Sequence, residues 1–171
     1  QNQPPPARFN RMPEADLLAT AVSKEADSAS RYFAARALLQ RKVAPEAVKA
    51  LLQSHDRLVV RMAFGKIDGK DYVPLINTLL DMWKVSSQRK DQTTVAMIQN
   101  ATGRIGPSAI DPLTDMTGPE DILFAIRALA AMRRPNAIAA IRKIIAQEKA
   151  KPKPNKRSIA RLERELKKAK K

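Results

Sequence analysis

The sequence predicts an all-α fold: a solenoid of about four helix pairs followed by a basic C-terminal helix. Three observations carry that expectation. Hydrophobic residues make up 44% of the 171-residue chain but aromatics only 4%. An alanine-rich, aromatic-poor mixture suits closely packed helices better than a β-sandwich, which draws on Val, Thr, Tyr and Phe. Apolar residues recur at helical spacing in short stretches punctuated by Gly, Pro, Asp or Asn. Finally, one phrase returns along the chain, and internal repetition at a period of 25 to 40 residues is the signature of stacked helical repeats.

Taken in order, residues 1–12, QNQPPPARFNRM, hold three consecutive prolines and no periodicity, so an extended arm is expected there. A repeat domain is expected over 13–148, and a Lys/Pro linker with a basic helix over 149–171. The recurring phrase is clearest in GRIGPSAIDPLTDM, residues 103–116. Gly65, Lys66, Ile67, Pro74 and Leu75 align with Gly103, Arg104, Ile105, Pro112 and Leu113. Pro135, Ala137, Ile138 and Ile141 align with Pro107, Ala109, Ile110 and Leu113, and so do Pro45, Ala47, Val48 and Leu51. The anchors of the four copies are Arg36, Arg61, Gln99 and Arg127. The long second interval is absorbed by WKVSSQRKDQ, residues 83–92, expected as a polar insertion between helices. Within each copy the first helix is marked by residues such as Val60, Ala63, Phe64 and Ile67, the second by Val48, Leu51 and Leu52. Thr117 to Glu120 has the form of a capping box with proline in the first turn.

A first helix bearing VR..A...G.I, then G/P.A...L on the second, resembles HEAT-like repeats, particularly the short bacterial kind also seen in phycobilin lyases. The resemblance covers about residues 13 to 147, with 13–24 as a leading half-repeat and Gln99 as a departure at the arginine position. It implies a right-handed α-solenoid. It also implies that Arg36, Arg61 and Arg127 bridge to an acidic or carbonyl group of a neighbouring unit. The alternative for them is a row of charges aimed at phosphates. Tetratricopeptide repeats are the second choice of fold, but their Trp, Gly, Tyr and Pro positions are out of register here.

The net charge of +15 is uneven. Residues 142–171 hold 13 Lys/Arg against 3 Glu, and the remainder 19 Lys/Arg against 14 Asp/Glu. A basic block of this kind attracts polyanions: nucleic acid, anionic lipid, cell-wall polymer or an acidic protein. In KRSIARLERELKKAKK, residues 156–171, Ile159, Leu162, Leu166 and Ala169 form a narrow apolar seam. That helix is expected to cap the last repeat and, with the linker before it, to offer Lys151, Lys153, Lys156, Arg157, Arg161, Arg164, Lys167 and Lys168 to a polyanion or partner. Trp83, Lys84, Arg89 and Lys90 are the candidates for contact from the insertion.

No catalytic constellation is expected. His55 is the only histidine and is expected as a turn residue beside an N-capping Asp56. With no cysteine in the chain, disulfides and Cys-based metal or redox sites are excluded, and no cofactor is expected. Asp68 and Asp71 flank Gly69 and suggest a turn, not a calcium loop. No P-loop, nucleophile elbow or dinucleotide fingerprint occurs, and the NAT sequon at 100–102 falls mid-helix. A HEAT-like family of DNA glycosylases holds damaged nucleotides with tryptophans near Asp and Arg. Trp83 is the one tryptophan here, and Asp81, two residues away, diverges from it on a helix.

The expected function is therefore a non-catalytic protein-interaction scaffold, with sequence-nonspecific nucleic-acid or polyanion binding as the alternative and a glycosylase as a distant third. A protein partner is expected and no membrane span. The Gln1 start fits a processed, exported protein ahead of a cytoplasmic one.

Overall fold

Several helix boundaries are set by a local residue choice, a capping side chain or a proline in the first turn. The computed structural model describes residues 6–171, and among these all regular structure is helical. By their packing the helices form two compact units, one ending at Ile67 and the other spanning Asp68–Lys171.

The first unit holds α1 (Ala7–Arg11), α2 (Glu14–Val22), α3 (Ser28–Leu39), α4 (Pro45–Leu52) and α5 (Arg57–Lys66). The expected extended arm over 1–12 is corrected for its last part, since residues 7–11 are helical; residues 1–5 lie outside the described residues. What folds this stretch is Phe9, which is buried with its ring 6.0 Å from that of Phe33. The Arg41 guanidinium fixes the exit of α1 by donating to the carbonyls of Asn10 (2.9 Å) and Met12 (2.7 Å). Asp27 caps α3 by accepting from the Ser30 amide, and Pro45 opens α4 at a position that needs no N–H. Lys66 at the end of α5 donates to the carbonyls of Leu39 (2.9 Å) and Arg41 (3.2 Å), satisfying the open C-terminus of α3. Helices α3 and α5 pack side by side, as do α2 and α4.

Asp56 does as the sequence suggests, capping α5 through the Leu58 and Val59 amides. It also receives the Arg31 guanidinium at 2.8 Å, with both side chains only 13% exposed. That pairing, 25 residues apart, has no signature in the sequence. Hydrogen bonding to Arg31 holds the Asp56 carboxyl below the usual carboxylate range.

The second unit begins with a 3-10 turn (Lys70–Leu75) into α6 (Ile76–Gln88). There follow α7 (Gln92–Ile105), a 3-10 turn (Pro107–Ala109), α8 (Ile110–Thr114), α9 (Pro119–Met132), α10 (Pro135–Lys149) and α11 (Lys156–Ala169). Gly69, at φ +90°, donates its N–H to the Arg104 carbonyl at 3.0 Å and joins the first turn to the end of α7. Helix α9 is the centre of this unit. Ile122, Leu123, Phe124, Ala125 and Ile126 are consecutive and all buried, because α6, α7, α8, α10 and α11 pack around it. Helices α7, α9 and α11 lie side by side, with α8 and α10 packed together behind.

Two local expectations change. The insertion over 83–92 is no loop: Trp83 to Gln88 continue α6, and only a tight turn through Lys90, at φ +57°, separates it from α7. Asp91 then caps α7 by accepting from the Thr94 amide (3.1 Å) and hydroxyl (2.6 Å). The capping box at Thr117 does not form either. Gly118, at φ +95°, takes the N-cap position, and Pro119 opens α9 without a side-chain cap. The turn into α9 needs a backbone conformation that a threonine rarely adopts.

Candidate cationic groove

The repeat anchor positions Gln99 and Arg127 fall on α7 and α9, on the layer that α11 completes. There the three helices enclose a groove of about 680 Å³. Its α7 wall carries Gln92, Val95, Ala96, Gln99 and Asn100, and its α9 wall Arg127, Ala130, Ala131 and Arg133. The end of α11 adds Glu165, Lys168, Ala169, Lys170 and Lys171, and Ile138 of α10 completes the lining. Small side chains on α7 and α9 leave the space, and Gly103 brings the two helices close. A Cβ on Gly103 would stand 3.0 Å from the Ala131 Cβ and 3.2 Å from its carbonyl carbon.

The groove holds five cations and one carboxylate, interspersed with three side-chain amides. The carboxylate is Glu165. One of its oxygens, Oε1, faces the Arg127 guanidinium at 3.5 Å and the Lys168 ammonium at 3.4 Å. Arg133 ends α9 in the left-handed region, φ +51° and ψ +42°, where glycine is the usual choice. The chain keeps an arginine there in spite of the strain, and its side chain lines the groove.

Helix α11 is seated as the apolar seam predicts. Leu162 is buried, Ile159, Leu166 and Ala169 are half-buried, and the helix packs on α9 and α10. Asn155 caps it through the Ser158 amide at 3.0 Å. With that face covered, Arg157, Arg161, Arg164 and Lys168 fall on one exposed stripe at spacings of 4, 3 and 4. The stripe runs roughly 16 Å along the helix axis at 1.5 Å per residue. Its first three arginines border a shallow depression with Asn155 and Ser158, and Lys168 lines the groove.

The remaining expected residues disperse. Lys151 pairs with Glu148 at 2.7 Å, and Lys153 is exposed in the linker. Lys156 and Lys167 are exposed on the other flank of α11, where Glu163 meets Lys149 at 2.5 Å. Trp83 is 3% exposed, its ring 5.7 Å from that of Phe124, so it is a core side chain and not a contact from an insertion. Lys84 is engaged by Asp121 at 2.6 Å, and that hydrogen bond raises its pKa. Arg89 and Lys90 are exposed beside the α6–α7 turn.

The repeat arginines also part company. Arg36 donates to the Tyr32 hydroxyl at 2.9 Å within its own helix, in place of a bridge to a neighbouring repeat. Arg61 is exposed on α5. Arg127 alone of the three reaches another element, through Glu165 of α11. Missed from the sequence are Gln92, Gln99, Asn100, Arg133, Lys170 and Lys171. The shared repeat position of Gln99 and Arg127 was the one available signal that α7 and α9 face the same space.

Among the described residues no helix is long and apolar enough to cross a membrane. Comparison with protein-family models, curated proteins and solved structures finds no match.

Proposed function

We propose that this chain is a non-catalytic binding protein whose second unit holds the phosphate backbone of nucleic acid without reading its sequence. The observation that carries this reading is the convergence of Arg127, Arg133, Lys168, Lys170 and Lys171 on one groove, with the Arg157, Arg161, Arg164 stripe leading toward it. Point charges spaced along a helix and around an open groove suit a repeating anion. The groove lining contains no aromatic side chain on which a base could stack. Binding should therefore be indifferent to sequence and strongly salt-dependent.

The test is a salt titration of binding to a random-sequence duplex. Wild type is compared with an Arg157→Gln, Arg161→Gln, Arg164→Gln triple variant. If the three arginines contact phosphates, the slope of log affinity against log salt falls by about 2 to 3, at about 0.9 per phosphate contact. Equal slopes would remove the stripe from the interface, and no binding at low salt would end the reading.

A second reading, the interaction scaffold, rests on the repeat register. In it the helix pairs are HEAT-like repeats stacked as a right-handed solenoid, and the same cations dock an acidic protein. Polyglutamate that displaces the duplex at equal charge concentration would favour the scaffold.

A further inference from the structure

Glu165 is out of place in a groove built for anions. It is the one carboxylate among five cations, its side chain only 13% exposed, and the two nearest cations share its Oε1. Its contact with Arg127 uses one oxygen and one guanidinium nitrogen at 3.5 Å, a single-point contact. A phosphate presents several acceptor oxygens and can take a guanidinium through two parallel hydrogen bonds, a stronger arrangement. Leu162, three residues earlier, already secures α11 against its neighbours. The helix does not depend on this ion pair for its seat.

We propose that Glu165 is an internal competitor for the phosphate: it occupies Arg127 in the free protein and must be displaced when nucleic-acid backbone enters the groove. Arg127 is then a specificity position. Only a ligand with a dense run of anions, able to supply a better partner than Glu165, gains its guanidinium. An isolated or weak anion leaves the pair closed. This inference rests on the nucleic-acid reading above and adds a threshold to it.

The experiment measures affinity of the full chain for a random-sequence duplex in wild type, Glu165→Gln, Arg127→Gln and the double variant. Glu163→Gln serves as the control. It removes the same charge from the same helix, at a residue paired with Lys149 and absent from the groove lining. Glu165→Gln is expected to tighten binding about 5-fold, the scale of one single-point ion pair released, and Glu163→Gln less than about 2-fold, the scale of a general change in charge. In the Arg127→Gln background the gain from Glu165→Gln should shrink toward the general charge effect seen in Glu163→Gln, with Lys168 as the one groove cation it still frees, and this is the coupling a double-mutant cycle reads. Equal tightening by Glu163→Gln, or a gain undiminished without Arg127, overturns the proposal. Should Glu165→Gln loosen α11, seen as a loss of helical signal on heating, Glu165→Met keeps the aliphatic contacts and repeats the comparison. Wild type that binds while all variants match it defeats this inference alone. Absence of binding throughout defeats the nucleic-acid reading and this inference with it.

Discussion

Gly65 of the first unit and Gly103 of the second stand at the same place in the repeated phrase, each near the end of a helix, yet they answer to different demands. A Cβ on Gly65 meets nothing within 4 Å, whereas one on Gly103 meets the Cβ and backbone of Ala131. The anchor arginines diverge in parallel: Arg36 and Arg61 in the first unit make a local hydrogen bond or face solvent, while Arg127 in the second turns to α11. The difference lies in what packs beside the repeat. In the second unit five helices pack on α9, α11 among them, so the same residue types become a close helix approach and a groove wall. A repeat phrase specifies helices and their buried faces. Its polar positions acquire meaning only from the neighbour they meet.

That contrast can be tested, beginning with the core that creates it. Phe124→Ala removes a fully buried ring packed against Trp83, and should cost about 3–5 kcal/mol, read as a shift in the urea midpoint at unchanged slope. A loss under about 1 kcal/mol would mean that α9 is not the centre of its unit. Leucine placed at the two glycines should then act with opposite sign. Gly103→Leu forces α7 from α9 and should lose about 1–3 kcal/mol, while Gly65→Leu gains up to about 1 kcal/mol from helix propensity. Thermal melts of the pair decide this, and shifts in the same direction would refute the contrast.

Asp56 brings a pH dependence to the first unit. Asp56→Ala deletes a helix cap and removes the charge partner of the largely buried Arg31, which keeps its hydrogen bonds to the Ala26 carbonyl and the Ser28 hydroxyl, a loss of about 2 kcal/mol. The carboxyl's folded pKa lies below its unfolded value. Its contribution is therefore complete above the ordinary carboxylate range and is lost as pH falls through the folded pKa. Acid titration of stability should be flatter in Asp56→Asn than in wild type; identical curves would show that the pair carries no linkage. The smallest effect is expected at Arg133, where the groove and the backbone pull apart. Arg133→Gly relieves a left-handed residue and should gain about 1 kcal/mol, while weakening duplex binding and lowering the salt slope by about 1. A variant that gained stability at no cost in binding would separate the strain from the groove's function.

Much of the helical layout was legible in advance. The Asp56 cap, the helices opened by Pro45 and Pro135, and the seam of α11 through Leu162 follow from spacing alone. The polar run after Trp83 misled, because WKVSSQ lacks a long apolar stripe yet continues α6, held there by Trp83 and Ser86 facing the interior. The stretch before Met12 misled in the opposite way, since its prolines hide the one residue, Phe9, that folds it. The groove was only half visible. Arg127 and Lys168 were marked by different arguments, one from repeats and one from charge, and nothing in the sequence joined them.

The sequence by itself determined that this chain is helical, that a helix follows the Asp56 cap, which face of the last helix is apolar and that the basic charge gathers toward the C-terminal end. Those are local properties, fixed by residue spacing, caps and prolines within a turn or two. Only the tertiary structure decided which cations converge. Gln92 and Lys171 line one groove because α9 sits between α7 and α11. That order comes from burying the apolar surface of α9 on every side, a condition set by the sum of many contacts and carried by no single motif.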